Sequence, residues 1–386
     1  MVWTSYLYSS ATNAAFSEVV LCSEPKNTRL SISSFTATLA LALPLASMVS
    51  GATNIARRDI LDPSDYKNTT VSRGIKYSYY FSPPTDNKRF LLFLHGWPGF
   101  SYDWRYQVEF FKEAGYGIIV PDLLGYGGTE KPTDPEAYRS SLISRDIVDI
   151  LDFESVSNDV VVVGHDWGSK ATARIANYFP DRFSAFGFLA VGNLPTAFFT
   201  IPYPQLNNAT KTALGYEEYG YWDFLTRPGT DEVLGTHLES FFSLAHTGDA
   251  VQALTDWAPL GALEAWVTND RKASTTVVTP EEEDRYLKAY SIPGALEASL
   301  AWYKVVVQGI EAQDNEGIPE ENLTVVKPVF LGATLRDFVV IAPSSVRATL
   351  DTSSNATIHL YDTGHWVQWE AKDELNRDLQ AWIEGL

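Results

Sequence analysis

Residues 160–168 read Val-Val-Val-Val-Gly-His-Asp-Trp-Gly, and this segment indicates a strand that leads directly into a helix. The four valines predict a buried strand, and the helical character of the following segment places a sharp strand-to-helix turn at Asp166. Gly164 and Gly168 lie two positions either side of Asp166, the spacing of a nucleophile elbow, with Asp where Ser is more usual. The centre of such a turn lies beside the positive end of a helix, which favours an ionised carboxylate. Asp166 is therefore a candidate nucleophile; the alternative is that it only caps the helix.

Motifs elsewhere in the chain supply the partners that such a nucleophile needs. A predicted strand precedes His-Gly-Trp-Pro-Gly at 95–99. In folds with a nucleophile elbow, the loop at this position donates a backbone N–H to an oxyanion, and here the donor would be Trp97. The residue after the nucleophile, Trp167, offers the second N–H. Asp337 follows a later predicted strand and His365 follows the last one. The order nucleophile, acid, histidine is that of α/β-hydrolases, and all three positions fall at the carboxyl ends of predicted strands, where active sites collect.

The rest of the pattern predicts an α/β fold with a mostly parallel sheet, helices on both faces and an inserted helical lid. Short apolar runs alternate with amphipathic segments before residue 194 and after residue 322, while the stretch between them is rich in aromatic residues and helical in character. We therefore expect a hydrolase core at 59–193 and 323–386 and a helical cap at 194–322. The predicted elements are strands at 90–94, 116–120, 160–163, 183–191, 326–331 and 356–360, and helices at 142–151, 171–178 and 372–383.

Residues 1–58 differ from the rest and are expected to form a separate N-terminal extension. An apolar run at 35–49 has the length of a signal-peptide core, and Arg57-Arg58 would suit dibasic processing. Acidic residues in the preceding segment argue against a signal peptide, so a disordered or wrongly extended N-terminus is the alternative. Four N-x-[ST] sequons permit the secretory pathway without establishing it, at Asn68, Asn208, Asn322 and Asn355. Otherwise we expect a soluble cytoplasmic domain without a stable membrane span in its catalytic part.

Composition excludes several classes of function. The formal net charge of −19 disfavours binding to nucleic acid, because an acidic surface repels phosphate backbones. The chain has 1 cysteine and 6 histidines, none of them in a His-x-x-x-His pair, so we expect neither an internal disulfide nor a metal site of the helical type. We also expect no organic cofactor. The oligomeric state is open.

Taken together, the motifs resemble those of soluble epoxide hydrolases of the α/β-hydrolase superfamily, over roughly residues 77–386. They are HGWPG at 95–99, PDLLGYGGTEKP at 121–132, GHDWG at 164–168, LRDF at 335–338 and GHW at 364–366. In that family two lid tyrosines hold the epoxide oxygen, and the resemblance assigns these roles to Tyr221 and Tyr303. Tyr303 is the better match, in Ala-Trp-Tyr-Lys; Tyr216 and Tyr219 are rivals for the first position.

The resemblance implies that a small apolar epoxide is opened to a vicinal diol through an ester on Asp166, which water activated by His365 then hydrolyses. Asp337 would orient His365. The substrate pocket is expected to include two further sets of residues: the oxyanion-hole pair Trp97 and Trp167, and the lining residues Tyr221, Tyr303 and Trp366. Two alternatives remain. A haloalkane-type dehalogenase of the same fold would need donors to a halide, for which Trp97, Trp222 and Trp302 are available, and a ligand-binding protein on this fold would need no catalysis.

Overall fold

The computed structural model describes residues 61–85, 87–156 and 159–386. The expected N-terminal extension, with its apolar run and Arg57-Arg58, lies outside the described residues. Within the described part, one sheet of eight strands crosses the molecule. Its strands are β1 (Tyr66–Thr70), β2 (Lys76–Ser82), β3 (Phe90–Leu94), β4 (Gly117–Pro121), β5 (Val160–His165), β6 (Ala185–Leu189), β7 (Val329–Thr334) and β8 (Ala356–Tyr361).

The strands lie in the order β1-β2-β4-β3-β5-β6-β7-β8, which places β5 near the centre of the sheet. From β4 to β8 every neighbouring pair is parallel, whereas β1 and β2 add an antiparallel edge. Val161 of β5 pairs with Leu91 on one side and with Ala185 on the other. All four valines of β5 are buried, as expected of a parallel strand that is covered on both faces. The predicted α/β fold with a mostly parallel sheet is confirmed.

Helices cover the two faces of the sheet. Those that belong to the sheet-bearing part of the chain are Arg105–Glu113, Ser140–Phe153, Trp167–Tyr178, Ala342–Thr352, Val367–Glu370 and Lys372–Glu384. Single turns of 3-10 helix occur at Pro63–Asp65, Ser101–Trp104, Pro135–Tyr138, Pro180–Arg182, Thr196–Thr200 and Glu320–Asn322. No helix among residues 61–85, 87–156 and 159–386 combines the length and the apolar character that crossing a membrane requires.

Between β6 and β7 the chain, which the structure describes throughout this stretch, forms a set of helices and no strand. They are Tyr203–Leu214, Tyr221–Thr226, Thr230–Thr236, Leu238–Ala245, Ala250–Asp256, Ala262–Thr268, Pro280–Tyr290, Ala295–Val307 and Ile310–Asn315. We call these nine helices the cap. Hydrogen bonds and ion pairs hold the cap on the rest of the molecule. The indole N–H of Trp302 donates to the Leu124 carbonyl at 2.9 Å, and Arg105 Nε lies 2.7 Å from Glu282 Oε1.

The predicted elements agree with the observed ones apart from their ends, but one edge of the sheet and the helices Arg105–Glu113, Ala342–Thr352 and Val367–Glu370 were not predicted. The strand predicted at 326–331 begins at Val329, and the helix predicted at 171–178 begins at Trp167, directly after the turn. The strands β1 and β2 were not predicted. Three of the five residues of β1 are exposed, and β2 mixes serine with tyrosine, so neither strand carries the continuous apolar run that marks the inner strands.

Candidate active site

Asp166 lies between the end of β5 and the start of the helix Trp167–Tyr178, with φ 53° and ψ −121°. Few non-glycine residues adopt a positive φ, so the turn holds Asp166 in a strained conformation. A Cβ atom at Gly164 would collide with the backbone of Gly168, and one at Gly168 would collide with the Leu94 carbonyl. The two glycines predicted to flank the turn are therefore required by the close approach of the backbone.

The backbone of the His-Gly-Trp-Pro-Gly loop contacts the Asp166 carboxylate. The N–H of Trp97 donates to Asp166 Oδ1 at 2.8 Å, and the N–H of Trp167 also interacts with this carboxylate. His95 holds the loop in place: its Nε2 accepts the N–H of Leu123 at 2.9 Å, so its Nδ1–H donates to the Gly96 carbonyl at 2.9 Å. The structure thus brings together the two N–H groups that the sequence suggested for an oxyanion hole.

His365 lies between the two acids that the sequence singled out. Its Nδ1–H donates to Asp337 Oδ2 at 2.9 Å, and its Nε2 lies 3.8 Å from Asp166 Oδ2. Asp337 is fixed in turn by the hydroxyl of Thr334 at 2.9 Å and the N–H of Val339 at 2.7 Å. The three side chains come from the ends of β5, β7 and β8, and all are buried.

Charge and burial compete at this cluster. Burial disfavours a charged His365, but the carboxylates of Asp337 and Asp166 outweigh that effect, so the pKa of His365 is raised. Burial likewise raises the pKa of Asp166, and His365 together with the N–H groups of Trp97 and Trp167 only partly opposes the rise. The sequence predicted an ionised carboxylate from the positive end of the helix, and burial opposes this ionisation. The charge of His365 and the hydrogen bonds to the carboxylate are what favour its ionised form.

Tyr221 and Tyr303 project from two cap helices over Asp166, with their ring centroids 6.0 Å apart. Burial raises the pKa of both phenols well above the usual range, so both hydroxyls keep their protons and can donate hydrogen bonds. Of the two rivals for the first position, Tyr219 lines only a second cavity, which Asp166 and Tyr221 also line, and Tyr216 is only half-buried.

A small cavity of about 10 Å³ lies among these residues. That is room for roughly one water molecule, so a substrate larger than water requires side chains of the cap to move. The cavity is lined by most of the residues that the sequence assigned to the site, namely Trp97, Asp166, Tyr221, Tyr303, His365 and Trp366. Asp337 stands behind His365. Trp366 is held by its indole N–H, which donates to the Ala245 carbonyl at 2.8 Å.

The tryptophans considered as halide donors are mostly engaged elsewhere. The indole N–H of Trp97 donates to Ser299 Oγ at 3.1 Å, and that of Trp302 donates to the Leu124 carbonyl. The indole N–H of Trp222 is buried, and the Trp222 side chain interacts with the hydroxyl of Tyr221. Two of the three N–H donors that a halide site would use thus already make hydrogen bonds to other residues of the protein.

Two residues near the cluster were not recognised from the sequence as contacts of the site. His165 donates its Nε2–H to the His365 carbonyl at 2.9 Å, and the two rings lie 4.6 Å apart. Glu218 of the cap is buried and accepts the N–H of Ile341 at 3.1 Å, which ties the cap to the loop that carries Asp337. Burial raises the pKa of Glu218 to about 7. Its sequence context, Glu-Glu-Tyr, carried no sign of this contact.

Within the described residues, no three His, Cys, Asp or Glu side chains are grouped as the ligands of a metal ion would be. The site combines a carboxylate held by backbone N–H groups, an acid–histidine pair and two neutral phenols. Such an arrangement can attack an electrophile, protonate the atom that departs, and activate water.

Comparison with known proteins shows the family of this chain. A family model described as the alpha/beta hydrolase fold matches residues 90–372. "Epoxide hydrolase srdG" of Neurospora crassa is 29% identical over 266 residues, 64% of this chain and 75% of that protein. "Epoxide hydrolase A" of Mycobacterium tuberculosis is 26% identical over 313 residues, 77% of this chain and 90% of that protein.

Solved structures show the same architecture. The crystal structure of epoxide hydrolase A from Mycobacterium thermoresistibile superposes with a TM-score of 0.69 at 24% identity, covering 83% of this chain and 98% of that one. An epoxide hydrolase from an endophytic Streptomyces gives a TM-score of 0.65 at 25% identity, covering 83% of this chain and 95% of that one. This chain belongs to the α/β-hydrolase family of hydrolases. The resemblance to epoxide hydrolases inferred from the motifs is confirmed.

Proposed function

We propose that this protein is an epoxide hydrolase that converts a small apolar epoxide and water into a vicinal diol. The observation that carries the proposal is the pair of protonated phenols, Tyr221 and Tyr303, which face the Asp166 carboxylate across one cavity. An Asp nucleophile alone would serve any electrophile with a leaving group. Two hydrogen-bond donors opposite Asp166 suit an electrophile in which an oxygen leaves the attacked carbon but remains bonded to the rest of the substrate, as the ring oxygen of an epoxide does. The relatives named epoxide hydrolases support the same conclusion.

In the first step, Asp166 attacks a ring carbon of the epoxide. The N–H of Trp97 holds Oδ1, which leaves Oδ2 as the attacking oxygen. As the new bond from Oδ2 to carbon forms, the bond from that carbon to the ring oxygen breaks, and one of the two tyrosine hydroxyls gives its proton to this oxygen. The product is a hydroxyalkyl ester of Asp166 and a tyrosinate. Because the reactants are held in line, alignment supplies much of the acceleration.

In the second step, His365 removes a proton from water, and the water oxygen attacks the ester carbonyl carbon of Asp166. The N–H groups of Trp97 and Trp167 stabilise the oxyanion, each worth roughly 3 kcal/mol in comparable sites. Asp337 orients His365 and balances its charge. His365 then protonates the departing diol oxygen, and the proton left on the Asp166 carboxyl group restores the tyrosine. The raised pKa of His365 implies that this step slows at acid pH, where the imidazole is already protonated.

The proposal is tested by incubating the purified protein with styrene oxide and, separately, with 1-chlorobutane. We expect diol from the epoxide and no halide from the chloroalkane. Halide release at a comparable rate would instead identify a dehalogenase of this fold. Absence of turnover on a broad panel of terminal and internal epoxides would show that the fold serves binding without catalysis.

Replacing Tyr303 with Phe is expected to lower kcat for epoxide opening by roughly 10²-fold or more, because one donor to the ring oxygen is lost. The formation of the ester, followed in single turnovers, should slow by the same factor, whereas hydrolysis of the ester should change little. Tyr116→Phe is the matched control, since this buried tyrosine packs against Phe111, away from the cavity at Asp166. If Tyr303→Phe turns over like the control, the assignment of the cap tyrosine is wrong.

A further inference from the structure

Two cap residues, Ser299 and Tyr290, contact the loop that carries the Trp97 N–H group. The indole N–H of Trp97 donates to Ser299 Oγ at 3.1 Å, and the hydroxyl of Tyr290 donates to the Gly99 carbonyl at 3.2 Å. The side chains of Tyr290 and Ser299 also interact with each other, and the Ser299 hydroxyl donates to the Leu296 carbonyl at 2.8 Å. Trp97, Tyr290 and Ser299 are all buried, so losing one of these contacts would leave a buried polar group without its hydrogen bond.

A second contact from the same cap helix supports the end of this loop. Tyr286 lies one helical turn before Tyr290, and its hydroxyl donates to Asp103 Oδ1 at 2.9 Å. The same carboxylate oxygen accepts the N–H of Phe100 at 3.4 Å. Asp103 also packs so closely on Gly99 that a Cβ atom there would collide with its carboxylate. One face of this cap helix therefore holds Gly99 directly and Phe100 through Asp103.

The two halves of the loop have different supports. His95, at its start, is held by the sheet-bearing part of the chain, through the hydrogen bond between its Nε2 and the N–H of Leu123. The Trp97 indole and the Gly99 carbonyl, toward its end, are held by cap residues. The cavity at Asp166 has room for roughly one water molecule, so side chains of the cap move when a substrate enters. Movement of the cap therefore changes the support of the second half of the loop.

The position of the Trp97 N–H group affects the two proposed steps differently. This group donates to Asp166 Oδ1 at 2.8 Å. During ring opening, negative charge leaves the Asp166 carboxylate, and Oδ1 becomes a weaker acceptor. During hydrolysis of the ester, Oδ1 is the carbonyl oxygen, and negative charge builds up on it as water attacks. A displaced N–H group therefore slows hydrolysis of the ester much more than it slows ring opening.

We propose that Ser299 and Tyr290 are positioning residues that hold the Trp97 N–H group against Asp166 Oδ1, and that the oxyanion hole is complete only while the cap is closed. This inference rests on the proposed epoxide hydrolase function and adds that hydrolysis of the ester depends on contacts made by the cap. Neither residue is among those that line the cavity at Asp166, so both act through the loop. Ser299 lies one helical turn before Tyr303, so one cap helix supports both steps.

The experiment follows single turnovers of styrene oxide by the double variant Tyr290→Phe/Ser299→Ala, with the ester detected from the intact mass of the protein in rapidly quenched samples. We expect hydrolysis of the ester to slow by roughly tenfold or more, because two hydrogen bonds to the loop are lost, and formation of the ester to stay within about twofold of wild type. Ser141→Ala/Tyr178→Phe is the matched control. It removes hydrogen bonds between the sheet-bearing part of the chain and Asp314 of the cap, and both steps should keep their wild-type rates.

The relative rates of the two steps decide the result. Unchanged hydrolysis of the ester overturns the inference and leaves the epoxide hydrolase function in place. Equal slowing of both steps also overturns it, because displacement of the cap as a whole would move Tyr303 and slow ring opening as well. Should the double variant fail to fold, Tyr290→Phe alone, which removes only the hydroxyl, should slow hydrolysis by roughly threefold and decides in the same way. Absence of both ester and diol with the wild-type protein contradicts the function and the inference together.

Discussion

Asp166→Asn is expected to lower kcat for epoxide turnover by about 10⁴-fold or more while the protein remains folded. An amide is a poor nucleophile, so no ester forms, and the positioning of the substrate accounts for what activity is left. Asn tolerates a positive φ better than most residues, and its side-chain oxygen can still accept the N–H of Trp97. Diol formation measures the loss, and circular dichroism with thermal unfolding verifies the fold.

The control for this variant is Asp249→Asn, which changes an N-cap aspartate in the cap and should keep wild-type turnover. A single turnover of the wild-type protein in ¹⁸O-water adds an independent result, because hydrolysis of an ester on Asp166 leaves the label in its carboxylate. Label found only in the diol, or an Asn variant within tenfold of wild type, would exclude Asp166 as the nucleophile.

His365→Gln is expected to stop the reaction between its two steps. The tyrosines and Asp166 still open the epoxide, but no base activates water, so turnover falls by about 10³- to 10⁴-fold and the ester accumulates. We expect about one equivalent of epoxide to be consumed rapidly and the intact mass of the protein to rise by the mass of the substrate. Gln cannot take up the proton but can still donate a hydrogen bond toward Asp337, which limits disturbance of the site.

His237→Gln provides the comparison, because His237 lies in the cap and pairs with Asp270. It should turn over like the wild-type protein and form no stable adduct. If His365→Gln consumes no epoxide at all, His365 is needed for ring opening. The proposal that His365 acts only in hydrolysis of the ester would then be wrong.

The sequence predicted most of the scaffold and the candidate site residues that the structure brings together, because both depend on short local patterns. The apolar run Phe90–Leu94 became a strand with the same ends, and the glycine spacing around Asp166 became the turn. Asp337 and His365 were found from their position after strands. A parallel sheet brings such positions to one edge whatever the order of its strands. The place of β4 between β2 and β3 was not predicted, because neither spacing nor composition records which strands pair.

The sequence did not predict contacts between residues that lie far apart in the chain. The pairing of Glu218 with Ile341 and that of Lys170 with Glu311 join the cap to the rest of the molecule, and each of these residues has an ordinary local context. Burial of a charged residue is a property of the folded surface and leaves no periodic signal. The two cavities of the site likewise depend on how the cap helices pack, and this packing cannot be predicted from a single sequence.

The positive φ of Asp166 has a thermodynamic consequence for the whole molecule. A non-glycine residue in this region of backbone space costs about 1–3 kcal/mol, whereas the net stability of a typical domain is only about 5–15 kcal/mol. Glycine at position 166 would adopt the same angles without the penalty and without any reactivity. In the proposed mechanism, the turn at Asp166 therefore lowers the stability of the fold in order to present a reactive carboxylate, and stabilising substitutions are better sought on the outer helices than near this turn.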